Sequence, residues 1–147
     1  MGFLEQAQAK NYRRMREEAI EPILQKGETI ESFGMATWLP ESKFLKWMVH
    51  EAILQFTVGK FHIVCLTNKR FLLFRMPIKM TKSYSHCELE LELPRNAVQG
   101  KSLKKKGLIS KIITMVLQFN QAEERTLIFK PPYTKEAEVI WKGLSNN

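Results

Sequence analysis

The sequence predicts a mainly β fold with some helix. The expected form is a curved antiparallel sheet or partly open barrel of about seven strands, capped by a C-terminal helix and preceded by an added N-terminal helix. Three observations predict it. Side chains alternate with period two over most of Gly59 to Leu93. Short apolar runs are punctuated by Gly, Pro and Asn. The two ends of the chain instead carry apolar residues at three- and four-residue spacing.

Phe3 to Gln25 reads as a helix, with Leu4, Tyr12, Met15, Ala19 and Ile23 as its apolar stripe and Pro22 as a kink or early end. Lys26-Gly27 is a helix stop. Glu28 to Leu39 is the first strand, closed by Pro40. Ser42 to Phe56 has a wide apolar arc and reads as a helix that is buried or meets a partner. Lys60 to Leu66 and Phe71 to Met76 form a hairpin around the polar turn Thr67 to Arg70. Pro77 to Lys82 is a loop. Cys87 to Leu93 alternates strictly, which predicts four apolar residues on one face and three glutamates toward water.

Arg95 to Val98 suits one helical turn, and Gly107 turns the chain after Lys101 to Lys106. Ile113, Met115, Leu117 and Phe119 suggest a strand, although Gly107 to Val116 also fits a helix. Arg125 to Lys130 is a short strand ended by Pro131-Pro132. Thr134 caps a last helix with Ala137, Ile140, Trp141 and Leu144 on one stripe.

The 147 residues suit a single domain, 1–147, and 44% hydrophobic with 26% charged residues is ordinary for a globular chain. Cys65 and Cys87 both sit in apolar runs, which is no disulfide framework and points to a reducing compartment. Charges throughout Met1 to Gln25 argue against an export signal, and no apolar run is long enough for a membrane span. The cytoplasm is therefore expected.

The net charge of +8 is uneven. Residues 39–83 hold eight basic side chains against two acidic, and residues 99–122 hold five against none. Such blocks attract anionic partners or keep a surface solvated. All fifteen acids are glutamate, which weakens readings that need aspartate as metal ligand, base or orienter.

The string Gly59 to Phe74, with Thr67-Asn68-Lys69-Arg70 between two apolar strands, resembles the central hairpin of bacterial pleckstrin-homology-like (PH-like) domains. Lys26-Gly27-Glu28 looks like that family's lead-in to the first strand, Leu93 to Val98 like its turn after the fourth, and Pro132 to Leu144 like its closing helix. The resemblance spans residues 26–144. It leaves residues 1–25 as a helical extension and about 42–56 as an inserted helix. It implies a binding scaffold rather than an enzyme. The basic residues with which classical lipid-binding relatives read phosphoinositides have no residue-by-residue counterpart here, so that specificity is not carried over.

Lys101, Lys104, Lys105, Lys106 and Lys111 form the densest basic cluster, a candidate anion or lipid contact or else a charged edge that blocks strand pairing. Phe44, Trp47, Met48 and Phe56 are the candidate interaction surface, for a second copy, another protein or a membrane interface. Thr67 to Arg70 reads as a turn held by local hydrogen bonds more than as an active corner. His62 and Cys65 diverge on a strand, as do His86 and Cys87, so no metal site is expected. No nucleophile elbow, P-loop or dinucleotide fingerprint occurs, so neither catalysis nor a cofactor is expected. Nucleic acid is disfavoured, because Phe61, Phe71 and Phe74 lie in runs that look like core. The expected function is a protein-interaction or self-assembly module, with peripheral attachment to an anionic membrane as the alternative.

Overall fold

The computed structural model describes residues 2–39, 60–76, 83–108, 111–119 and 123–145. Helix α1 (Phe3–Met15) runs into a wider π turn at Arg16–Ile20 and then a tight 3-10 turn at Glu21–Ile23. Pro22 falls in that last turn, where its missing N–H ends the helix. The π turn has a consequence for packing. Residues five apart share a face in it, so Ile20 joins Met15 in full burial beside Ala19. A regular helical stripe does not include Ile20.

Seven strands follow among the described residues: β1 (Ile30–Leu39), β2 (Lys60–Thr67), β3 (Arg70–Arg75), β4 (Glu88–Pro94), β5 (Val98–Lys106), β6 (Ile112–Phe119) and β7 (Glu123–Phe129). They form one antiparallel sheet in the order β4-β3-β2-β1-β7-β6-β5. Helix α2 (Thr134–Ser145) ends the described chain. This is the mainly β architecture expected, with the sheet left open. β4 and β5 stand at opposite ends of the ladder, yet only the 3-10 turn Arg95–Ala97 separates them. The sheet therefore curls until its edges meet at that corner, and they do not pair.

Both faces of β1–β3 are covered. The inner face packs Val64, Leu66, Phe71 and Leu73 against β6, β7 and the Ala137, Ile140 and Leu144 stripe of α2. The outer face packs Phe33, Ile63, Cys65, Leu72 and Phe74 against Met15, Ala19 and Ile20. Double burial explains why Ile63 to Leu66 of β2 and Phe71 to Phe74 of β3 are apolar without interruption. On β6 only alternate residues are buried, Ile113 to Phe119, which resolves that segment as strand. Gly100 admits the Trp141 ring of α2 against the backbone, where an added Cβ would overlap it.

Four expectations are corrected. Phe61, read as core beside Phe71 and Phe74, is 48% exposed, while those two are buried. The apolar residues of β4 do not share one face. A bulge between the partners of Leu73 and Phe74 inserts Glu90. Leu91 and Leu93 then join the inner core while Cys87 packs with the outer one. The first intrahelical bond of α2 runs from Ala137 N to Tyr133 O, so Tyr133, not Thr134, holds the capping position. The first strand begins at Ile30 rather than Glu28, because Glu28 has another task. The expected loop Pro77 to Lys82 and the inserted helix 42–56 lie outside the described residues.

Candidate functional site

Lys101 to Lys106 belongs to β5, which among the described residues is an edge strand paired only with β6. An edge tolerates lysine because its outer side faces water. Gly107, at φ 111°, turns the chain toward Leu108, whose side chain is fully exposed. Lys111 follows on the return to β6, also exposed.

Register sets where the lysines point. Lys105 lies opposite the buried Ile113, hence on the inner face, where its Nζ meets Glu138 Oε1 of α2 at 2.5 Å. Lys104 and Lys106 lie opposite Thr114 and Ile112, on the outer face. Lys101 is the extra residue of a bulge between Gly100 and Ser102. Lys105, with Lys111 and Lys142 beyond it, holds the Glu138 carboxyl below its ordinary range. Among the described residues Lys105 is the one member of the cluster in an ion pair. The hairpin end is thus basic on both faces and carries an exposed leucine at its turn.

A second polar assembly sits at the opposite end of the strands. Thr67 Oγ1 accepts from the N–H of Lys69 and Arg70 at 3.1 and 2.8 Å and donates to Glu28 Oε2 at 2.6 Å. Asn68 Oδ1 accepts from Thr29 N–H at 2.9 Å. Arg70 donates to both oxygens of Glu28, at 2.8 and 2.5 Å, to Glu92 at 2.6 Å and to the carbonyl of Ile23 at 3.1 Å. Gly27, at φ 78°, delivers Glu28 into this position. The guanidinium of Arg70 pulls the Glu28 carboxyl down to about 2, and the pair in turn raises the Arg70 pKa. The corner is a clasp joining the 3-10 turn after α1, the hairpin and β4. Arg95 clasps the nearby edge corner, bonding Thr67 O, Gly143 O and Glu31.

His62 is fully buried on the inner face, and its Nε2 lies 2.5 Å from Glu90 Oε2. The bulge in β4 is what brings Glu90 there. Sequence reading treated Glu90 as solvated and did not foresee the pair. Cys65 faces the other core, where burial pushes its thiol up to about 12. Among the described residues no three His, Cys, Asp or Glu side chains gather as metal ligands. Phe44, Trp47, Met48 and Phe56 lie outside the described residues.

No family model matches the chain, and no curated protein matches it. No helix of the described residues is long and apolar enough to cross a membrane.

Proposed function

We propose that this chain is a non-enzymatic binding module of the PH-like kind that docks, tip first, on an anionic membrane surface through the β5–β6 hairpin. The observation that carries the reading is Leu108, fully exposed at a turn flanked by Lys104, Lys105, Lys106 and Lys111. An exposed leucine alone needs no explanation. One ringed by lysines on both strand faces suits the headgroup boundary, where the apolar tip sinks in and the charges meet phosphate.

Magnitudes decide what kind of contact this is. Each lysine near an anionic leaflet contributes about 1 kcal/mol, and burying a leucine contributes about 2 kcal/mol. Lys105 is held by Glu138, so Lys104, Lys106, Lys111 and Leu108 then give about 5 kcal/mol, weaker than micromolar binding and readily reversible. The cytoplasmic leaflet carries the anionic lipids, and a reducing compartment suits free Cys65 and Cys87. The clasp at Thr67 to Arg70 holds the scaffold, with Glu28 and Thr67 buried in hydrogen bonds to Arg70 and to one another.

Vesicle pelleting tests the proposal. Binding is expected to phosphatidylserine-containing vesicles at low salt, to fade with added salt, and to be absent from pure phosphatidylcholine. The triple reversal K104E/K106E/K111E should abolish it, and L108E should weaken it at least tenfold. No binding to anionic vesicles at low salt would overturn the reading.

A further inference from the structure

A groove of about 230 Å³ opens where α1 meets the start of α2, and its chemistry is unlike the rest of this basic protein. Among the described residues its lining carries Glu5 and Glu136 and no lysine or arginine. The remainder is mostly ring and hydrocarbon, from Ala9, Tyr12, Pro132 and Tyr133. We propose that this groove binds a small aliphatic diamine or polyamine, with Glu136 and Glu5 taking its ammonium groups and the Tyr12 and Tyr133 rings covering its methylene chain.

Glu136 carries the argument. Its Oε2 is buried without a hydrogen-bond partner, and it is the one buried side-chain oxygen or nitrogen of which that is true among the described residues. A carboxylate oxygen can only accept, and leaving one buried and unmatched is costly. Its place in α2 sharpens the point. A glutamate three residues after the cap ordinarily reaches back to the cap residue's N–H. Here the N–H of Tyr133 donates instead to Lys130 O at 2.9 Å. The carboxylate is left to the groove, where an ammonium with three N–H donors satisfies it by a charge-assisted bond.

The walls are preformed, and three consecutive residues of β1 hold them. Ser32 Oγ donates to Glu136 O at 3.0 Å. Phe33 stacks on the Tyr12 ring with centroids 4.1 Å apart. Gly34 lets Tyr133 lie against the strand, since an added Cβ would sit 3.1 Å from the Tyr133 Cβ. Burial, then the Glu136 charge, raises the Tyr12 phenol above its ordinary value against the pull of Arg16, which is itself paired with Glu21. Burial, then Tyr84, Glu136 and Tyr12, pushes the Tyr133 phenol up to about 12. Both phenols therefore stay neutral, and the two carboxylates hold the formal charge of the lining. A cation beside neutral aromatic faces is attracted by them as well. Drug-sized ligands fill roughly 300–1,000 Å³, so the occupant is small. A bare metal ion makes no use of the rings, and no third acidic, His or Cys ligand gathers there among the described residues.

Backbone amide chemical shifts of the full chain, titrated with 1,4-diaminobutane at constant ionic strength, test the proposal. Saturable shifts should gather at residues 5–12 and 133–137. Butylamine keeps the hydrocarbon and loses one ammonium, and it should bind about tenfold more weakly. E136Q keeps the shape and removes the charge, and it should weaken diamine binding by about tenfold or more. E5Q changes an exposed side chain, and it should bring the diamine down to the affinity of butylamine. No saturable shift at millimolar diamine, shifts centred on the exposed glutamates of β4, or butylamine binding as tightly as the diamine would each overturn the proposal. The membrane reading is judged separately: K104E/K106E/K111E leaves the groove intact and should bind the diamine as the wild type does.

Discussion

Glu28 shows how a single side chain holds several segments. Its side chain is fully buried, and Arg70 grips both carboxylate oxygens. A buried pair of this kind adds little over an apolar substitute but is costly to break on one side. E28Q should therefore destabilise the fold by about 3 kcal/mol in denaturant titration. The same carboxyl gives the protein an acid limit. Its pKa falls from an ordinary 4.5 to about 2 on folding. The stability it contributes is complete above pH 4.5 and is lost as pH drops toward 2, on the order of 3 kcal/mol in all. Acid titration of E28Q should lack that component. Gly100 makes a second point at this scale. G100A would push a methyl into the Trp141 ring and should cost about 1–3 kcal/mol, read as a lower melting temperature.

Elements reveal where sequence patterns suffice. The hairpin β2–β3 was legible because the apolar runs Ile63 to Leu66 and Phe71 to Phe74 flank the polar Thr67 to Arg70, whose central Asn68 and Lys69 make the turn. α2 was legible from its stripe. β5 was not, since Lys101 to Lys106 offers Leu103 as its single apolar residue and its strand form depends on hydrogen bonds to β6. The bulge in β4 was hidden by perfect alternation from Cys87 to Leu93; the buried imidazole of His62 needs Glu90, and only the tertiary fold brings them together. The π turn after α1 was hidden for the same reason, as the outer core requires Ile20. α1 is accordingly part of the core rather than an appendage. M15A should cost about 2–5 kcal/mol, and removal of residues 2–23 should expose Phe33, Ile63 and Phe74 and lead to aggregation, seen by light scattering.

For the whole molecule, function follows from how the open sheet distributes its surfaces. One end of the strands is tied by the Glu28–Arg70 and Arg95 clasps, which leaves rigid strands to carry the hairpin at the other end. The lysine cluster was legible in sequence as charge. Leu108 was not singled out there, because beside Ile109 it reads as the start of an apolar run, and its exposure is visible only once Gly107 turns the chain. The central claim is that this tip enters an anionic membrane. A nitroxide spin label attached to L108C in a C87S background reports its depth directly, with the buried Cys65 thiol inert. On phosphatidylserine-containing vesicles the label should become accessible to oxygen and shielded from a water-soluble nickel complex. A label that remains fully accessible to nickel while the protein pellets with the vesicles would contradict the account.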